Sequence, residues 1–410
     1  MNRWYIVFAV ILTLISPVNL GTGVNYGVYL LFILTFFLFI LQKQKNIVIP
    51  PRYNRLLLLF WGCMFLNALV SKYSPAPQFV LLGMLITSLP FFHYIISYNY
   101  NFSLLEIQKL IRAIIYTTLL LCFLVFLETI VNGFLDGTYG FWNPQILLIG
   151  FISSACNQSL MLSLFLYRQT NERKYLRIAG LFIIFVLVSL QLKAVAGAVI
   201  VLLGYYFFYH SKKGIIFKMS ILGALLVSML FIIPAFREKL NLYIGTYAVE
   251  GASTSVARNT LYYTSGQIAM DYFPFGTGQG TFASVASKFS PDRVMYDYGI
   301  DKVYGLDGDN ITGGDFRLDT HWANILGENG ILGSILYLML LFYPVREVHK
   351  KKRLFSKDIS FVITISILCI FIESFALPLP NRLNFIFIYS GLTAILVRYT
   401  YNHSTRVANN

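Results

Sequence analysis

"LIRAIIYTTLLLCFLVFLETIV", residues 110–131, carries Arg112 near one end and Glu128 near the other and is otherwise uncharged. As a helix rising 1.5 Å per residue it extends about 33 Å, enough to cross a hydrocarbon core of roughly 30 Å. Similar apolar runs recur near 4–18, 26–42, 56–70, 78–97, 146–168, 178–192, 194–210, 215–234, 322–345, 359–378 and 382–399. With 57% hydrophobic and 12% charged residues, the 410-residue chain has far more apolar surface than a soluble core needs. The sequence therefore predicts an all-α polytopic membrane protein with about twelve transmembrane helices.

The run after Arg3 has the flank of a signal peptide but no small-residue cleavage site beyond Ser16-Pro17-Val18, so it reads as a retained first helix. Cys63, Cys122, Cys156 and Cys369 all fall in predicted spans, where a thiol acts as a small apolar group and no disulfide framework is implied.

The net charge of +14 could suggest nucleic acid, but the basic residues recur at alternate loops instead of forming one patch. Of the 32 Lys and Arg residues, 22 fall on one side, among them Arg52, Arg55, Lys109, Arg112, Arg346, Lys350, Lys351, Lys352, Arg353 and Arg398. The short loops of the other side hold Lys72, Lys193 and Arg382. The positive-inside rule then places both termini in the cytoplasm. The chain divides into spans one to nine over 1–234, a polar outer loop over 235–321, and spans ten to twelve with a cytoplasmic tail over 322–410.

The outer loop, with Glu328 just beyond it, holds 11 of the 18 acidic residues and 7 basic ones. Apolar spacing predicts a helix over about 255–270 with Arg258 in its first turns, where a cation does not serve the helix dipole. "PFGTGQGTF" follows: Pro274 stops the helix, and Gly276, Gly278 and Gly280 permit tight turns. Its glycines lack dinucleotide-binding spacing and follow no strand, so they read as a structural turn framing a substrate groove. "DGDNITGGD", 307–315, partly echoes a calcium loop, but Thr312 stands at the place of the required glycine and no glutamate closes it. The Asp-rich stretch 296–319 reads as a polar lid, with no metal site.

In "THWANILGENGILG", residues 320–333, His321, Asn324 and Glu328 are spaced by three and four and share a helix face. That spacing predicts His321 at the outer mouth and Glu328 about 10 Å deeper. Gly330 and Gly333 predict close approach of another helix. An ionisable group inside a span is costly and marks a functional cavity. Lys193 at the apex of an outer hairpin, Glu128 and Glu373 near outer span ends, and Asn157 with Gln158 inside a span suggest that such a cavity opens outward; snorkelling or helix-to-helix hydrogen bonds are the plain alternatives.

Three patches resemble the bacterial superfamily of O-antigen ligases and Wzy-type polymerases: "LQLKAVAGAVIVLL" at the hairpin, "ARNTLYYTSGQIAMDYFPFGTGQGTF" in the loop and "HWANILGENGILG" after it. They span mainly residues 188–340. Two departures stand out: Lys193 replaces the family's arginine, losing its bidentate fork, and Asn324 stands two places later than the family's asparagine. The resemblance implies a GT-C-like membrane fold in the bacterial inner membrane and a glycan on undecaprenyl pyrophosphate as substrate, used at the periplasmic face. It also implies inverting, metal-independent glycosyl transfer with no cofactor. His321 would accept the proton, Arg258 and Lys193 would bind the pyrophosphate, and Asn324 and Glu328 would support them. The two departures favour a polymerase of oligosaccharide repeat units, with a chain-length regulator as an optional partner, over a ligase acting on lipid A core. A transporter would show two related halves, and the N-terminal half holds no counterpart of these motifs.

Overall fold

The computed structural model describes residues 48–135, 149–189, 192–210, 254–289, 293–303, 305–306, 320–375 and 390–408, with the single positions 37 and 317. Among these the regular structure is helical, with no strand. The expected spans 4–18 and 215–234 lie outside the described residues, as do nearly all of 26–42 and the start of 382–399.

The elements are α1 (Pro51–Val70), α2 (Pro77–Tyr98), α3 (Leu104–Leu135), α4 (Ile149–Thr170), α5 (Arg173–Val188), α6 (Leu192–Tyr209), α7 (Thr254–Asp271), the short α8 (Arg293–Asp297), α9 (His321–Leu341), α10 (Tyr343–Lys350), α11 (Lys357–Glu373) and α12 (Thr393–Ala408). Among the described residues four helices are long and apolar enough, by length and composition, to cross a membrane: α1, α2, α3 over Leu104–Leu127, and α9 when counted through its break. Proline opens α1 and α2, where its missing N–H costs nothing. Ser103 and Glu106 form a capping box at the start of α3: the Glu106 carboxylate accepts from the Ser103 N–H at 2.8 Å while the Ser103 hydroxyl accepts from the Glu106 N–H at 3.3 Å. On α1, Leu58, Leu59, Phe65, Leu66, Leu69 and Val70 each leave more than half of their surface uncovered. A bare apolar face of that extent calls for lipid.

The bundle has two unlike ends. At one, the α1–α2 connection with Ser71 and Tyr73 meets the glycine-rich turn around Gly276. At the other lie Arg52, Arg55, Lys109 and the exposed residues Lys350, Lys351, Lys352 and Arg353. At this basic end Tyr53, Tyr94 and Tyr343 pack ring against ring, with centroids 4.7 and 5.0 Å from Tyr53.

α9 is not one straight helix. Gly330 has φ 61° and ψ −166°, and the helix breaks there into 321–329 and 331–341. Sixteen residues of straight helix would separate His321 from Tyr337 by about 24 Å, yet His321 Nε2 lies 3.0 Å from the Tyr337 hydroxyl. The two halves therefore fold back on each other at Gly330. The second half runs down beside α1, with Tyr337 against Phe60 and Phe91.

A break inside an apolar bundle strands backbone polar groups, each costing about 1–3 kcal/mol if left unmet. Here the glycine-rich turn meets them. The N–H groups of Thr277 and Gly278 donate to the carbonyls of Gly327 and Glu328, both at 3.0 Å, and Leu332 N–H donates to the Pro274 carbonyl at 3.1 Å. Asn67 of α1 donates a further bond to the Glu328 carbonyl at 2.6 Å.

Two expectations are corrected by this geometry. Gly330 receives the backbone of a turn, not a second helix: a Cβ there would come within 2.5 Å of Gly276 N and Pro274 O. The closest neighbour of Gly333 is Asn329 of its own broken helix. The order of depth is also reversed. Glu328 lies at the turn end beside Asn67, and His321 lies inward, level with Tyr337, seven residues or about 10 Å past the break. The cause is the direction of 321–329, which runs toward the glycine-rich turn.

Candidate functional site

α7 and the first half of α9 lie side by side. Tyr272, just past α7, donates to the Tyr73 hydroxyl at 3.1 Å at the turn end, while Ala257, near the start of α7, shares one apolar cluster with Ala323. Arg258 and His321 are thus carried on adjacent elements reaching inward from the same end. Four residues on from Arg258 and on the same face, Tyr262 donates to the Phe375 carbonyl at 2.8 Å and stacks on the Phe375 ring. Burial raises the Tyr262 phenol above its ordinary pKa, and the nearby Arg258 charge opposes that rise.

His321 is buried, 5% exposed, and its Nε2 pairs with Tyr337. Trp322 beside it donates to the Phe371 carbonyl at 3.0 Å and packs on Phe371 and Phe375. The C-terminal end of α11 is therefore a hub, touched by Tyr262 from α7 and by Trp322 from α9.

Glu373 sits at the same end of α11. It is buried, accepts from the Asn157 amide at 2.8 Å and lies within electrostatic reach of Lys193. Asn157 also donates to the Ala194 carbonyl at 2.9 Å, and Gly197 leaves the space in which Asn157 and Glu373 meet. The hairpin lysine and two polar residues suggested by sequence as cavity lining thus come together, with Glu373 and Asn157 buried and Lys193 half-buried. Of Gln158, only the burial adds to this picture. The side chain of Glu128 and the stretch 307–315 lie outside the described residues.

Asn324 and Glu328 do not join His321. Asn324 donates to the Phe282 carbonyl at 2.8 Å, and one Glu328 oxygen accepts from the N–H groups of Thr281 and Phe282 at 2.9 and 3.0 Å. Both hold the turn that caps the break, which gives them a positioning role. Gly276, Gly278 and Gly280 have φ of 80°, 98° and 76°. A side chain at Gly276 would meet Gly327 O and Gly330 N at 2.5 Å, so that position admits no Cβ on both counts.

Sequence reasoning missed the residues that complete this clamp. Gln279 donates to Asn329 at 2.7 Å, and Asn67 and Ser71 reach the turn from α1 and the residue after it. Tyr337 was also missed, because it reads as one more aromatic in an apolar run until the fold-back at Gly330 is known. Glu373 carried a signal, as a carboxylate in a predicted span. Among the described residues no group of three or more His, Cys, Asp or Glu side chains is placed to hold a metal ion. Compared with protein-family models and with curated proteins, the chain matches none.

Proposed function

We propose that the chain is a glycosyltransferase of the bacterial inner membrane that joins oligosaccharide repeat units carried on undecaprenyl pyrophosphate. In this reading about twelve spans form a GT-C-like fold, the loop 235–321 faces the periplasm and both termini are cytoplasmic. The observation that carries it is the convergence on the end of α11 of α7, which bears Arg258 and touches it through Tyr262, of the start of α9, which bears His321 and touches it through Trp322, and of the Lys193–Glu373–Asn157 cluster. Buried and half-buried ionisable groups from elements far apart in sequence are costly to assemble, and a reacting charge is a reason to do so.

The chemistry follows from the groups. A sugar hydroxyl of the acceptor unit attacks the anomeric carbon of the donor. The new C–O bond forms as the bond to pyrophosphate breaks, and the electron pair leaves with the pyrophosphate. Arg258 and Lys193 offset the charge that develops there. The hydroxyl proton passes to His321, whose neutral imidazole is suited to accept it once Tyr337 occupies the other role of the ring. One displacement inverts the anomeric centre, and no step is routed through a metal. A fork-shaped arginine is absent at position 193, in keeping with a polymerase over a ligase.

Deletion of the gene tests this. The expected result is a surface glycan of core plus one repeat unit, with the ladder of longer chains gone. Bare core with long glycan stranded on the lipid carrier would assign the ligase reaction instead, and an unchanged ladder would remove both readings.

A further inference from the structure

At the basic end, away from the clamp and the His321 region, a cavity of about 580 Å³ opens between the start of α3 and α12. Arg398, Asn402 and His403 line it from α12, and Asn101, Ser103 and Leu104 from the start of α3. We propose that this cavity binds the phosphate headgroup of an anionic phospholipid of the leaflet at the basic end.

Two features of the lining, Arg398 and the start of α3, are suited to an anion. The Arg398 guanidinium stacks over the Tyr98 ring at 5.4 Å, and its Nε is buried without a hydrogen-bond partner. The positive end of the α3 dipole faces the cavity. The one carboxylate in the lining, Glu106, is already engaged by the Ser103 N–H and hydroxyl at 2.8 and 2.9 Å, so its charge is held by the helix start. The Asn402 amide donates to Asn101 at 2.9 Å across the cavity and fixes its two walls.

A second set of features points to a lipid and away from a soluble phosphate. Tyr116, Leu120, Phe123 and Leu127 form an apolar stripe on one face of α3, each 40% exposed or more, and the same face continues through the half-buried Arg112 and the exposed Lys109 to Leu105 beside the cavity. Acyl chains laid along the stripe would bring their headgroup to the level of Arg112 and Lys109, next to the cavity. The charge nearby favours an anionic over a zwitterionic lipid. Lys351 lies over the Tyr401 ring at 4.3 Å, Tyr401 donates to Glu347, and the exposed Lys350, Lys352 and Arg353 flank them. Exposed cations near a bilayer attract anionic headgroups.

The test uses the purified full-length protein in neutral detergent, with thermal unfolding followed as lipid is added and bound lipid counted by native mass spectrometry. Phosphatidylglycerol is expected to raise the midpoint and remain bound, with phosphatidylcholine and glycerol 3-phosphate giving no rise. Arg398→Gln should weaken the phosphatidylglycerol response about tenfold, as loss of one charged hydrogen-bond donor implies. Arg398→Lys should keep most of it. His403→Gln, on the exposed rim, serves as a second variant, with a fewfold loss expected and no change in the lipid-free midpoint. An equal response to phosphatidylcholine, or one matched by glycerol 3-phosphate, would overturn the lipid assignment. A full phosphatidylglycerol response in both Arg398→Gln and His403→Gln would overturn the site.

Discussion

Replacing Gly330 by alanine should destabilise the protein strongly, through both its backbone conformation and the space its Cβ would need. The residue holds φ 61° and ψ −166°, a backbone state nearly closed to L side chains, which sets a strain of about 1–3 kcal/mol. The new Cβ would also stand 2.5 Å from Gly276 N and Pro274 O, where ordinary contacts are about 3.5–4.0 Å. Relief demands that the turn retreat by about 1 Å, which stretches the three backbone bonds of 3.0, 3.0 and 3.1 Å that cap the break. With each of the three bonds worth about 0.5–1.5 kcal/mol, the sum with the strain is about 2.5–7.5 kcal/mol, a large share of a typical folding free energy of about 5–15 kcal/mol. Gly276→Ala meets Gly327 O and Gly330 N at the same 2.5 Å and should cost a similar amount. Because both methyls wedge apart the same two backbones, the double variant should be less destabilised than the sum by about 1–3 kcal/mol. Gly62→Ala on α1, where a Cβ meets nothing within 4 Å, is the control and should be neutral or slightly stabilising. Reversible unfolding in mixed detergent micelles reads all four. A Gly330→Ala midpoint equal to that of Gly62→Ala would refute the interlock, and strict additivity would show that the two sites do not share one gap.

With purified enzyme and lipid-linked glycan, Arg258→Ala should lower turnover about 10²–10³-fold and His321→Ala about 10²–10⁴-fold. Lys193→Arg should retain more activity than Lys193→Ala, and full turnover of His321→Ala at every pH would end the general-base assignment. For topology, Tyr296→Cys at an exposed position of the loop should react with an impermeant thiol reagent in intact cells, and Lys352→Cys only after permeabilisation; the four native cysteines are buried and give little background. The opposite labelling pattern would invert the proposed orientation.

The helical, lipid-facing character of the chain was legible because it depends on composition and run length, which are local. The turns at Gly276, Gly278 and Gly280 were legible for the same reason: proline followed by alternating glycines has few other uses. The role of Glu328 was not, since shared helical face with His321 suggested cooperation, whereas the carboxylate turns to backbone donors nearly fifty residues earlier in the chain. Nor could spacing reveal the depth of His321. A glycine in a membrane run is read as a packing notch, and its use as a reversal depends on a partner turn that supplies the missing hydrogen bonds. Asn67 illustrates the limit most plainly, as its contact with Glu328 joins positions 261 residues apart.

The clamp around Gly330 also constrains biosynthesis. When residues 321–341 leave the ribosome, neither half is long enough to settle as an ordinary span, at about 13 and 16 Å of helix. Ser334 meets the Gly330 carbonyl from within the segment at 2.6 Å, but the carbonyls of Gly327 and Glu328 and the N–H of Leu332 rely on the turn at 274–278, already made and waiting, and on Asn67 of a span inserted much earlier. The C-terminal part of the bundle therefore closes onto a template laid down by the N-terminal part. Chimaeras that exchange the segment 254–289 between distant homologues without its companion 320–341 should stall as incompletely inserted chains, whereas exchange of the two together should restore accumulation in the membrane.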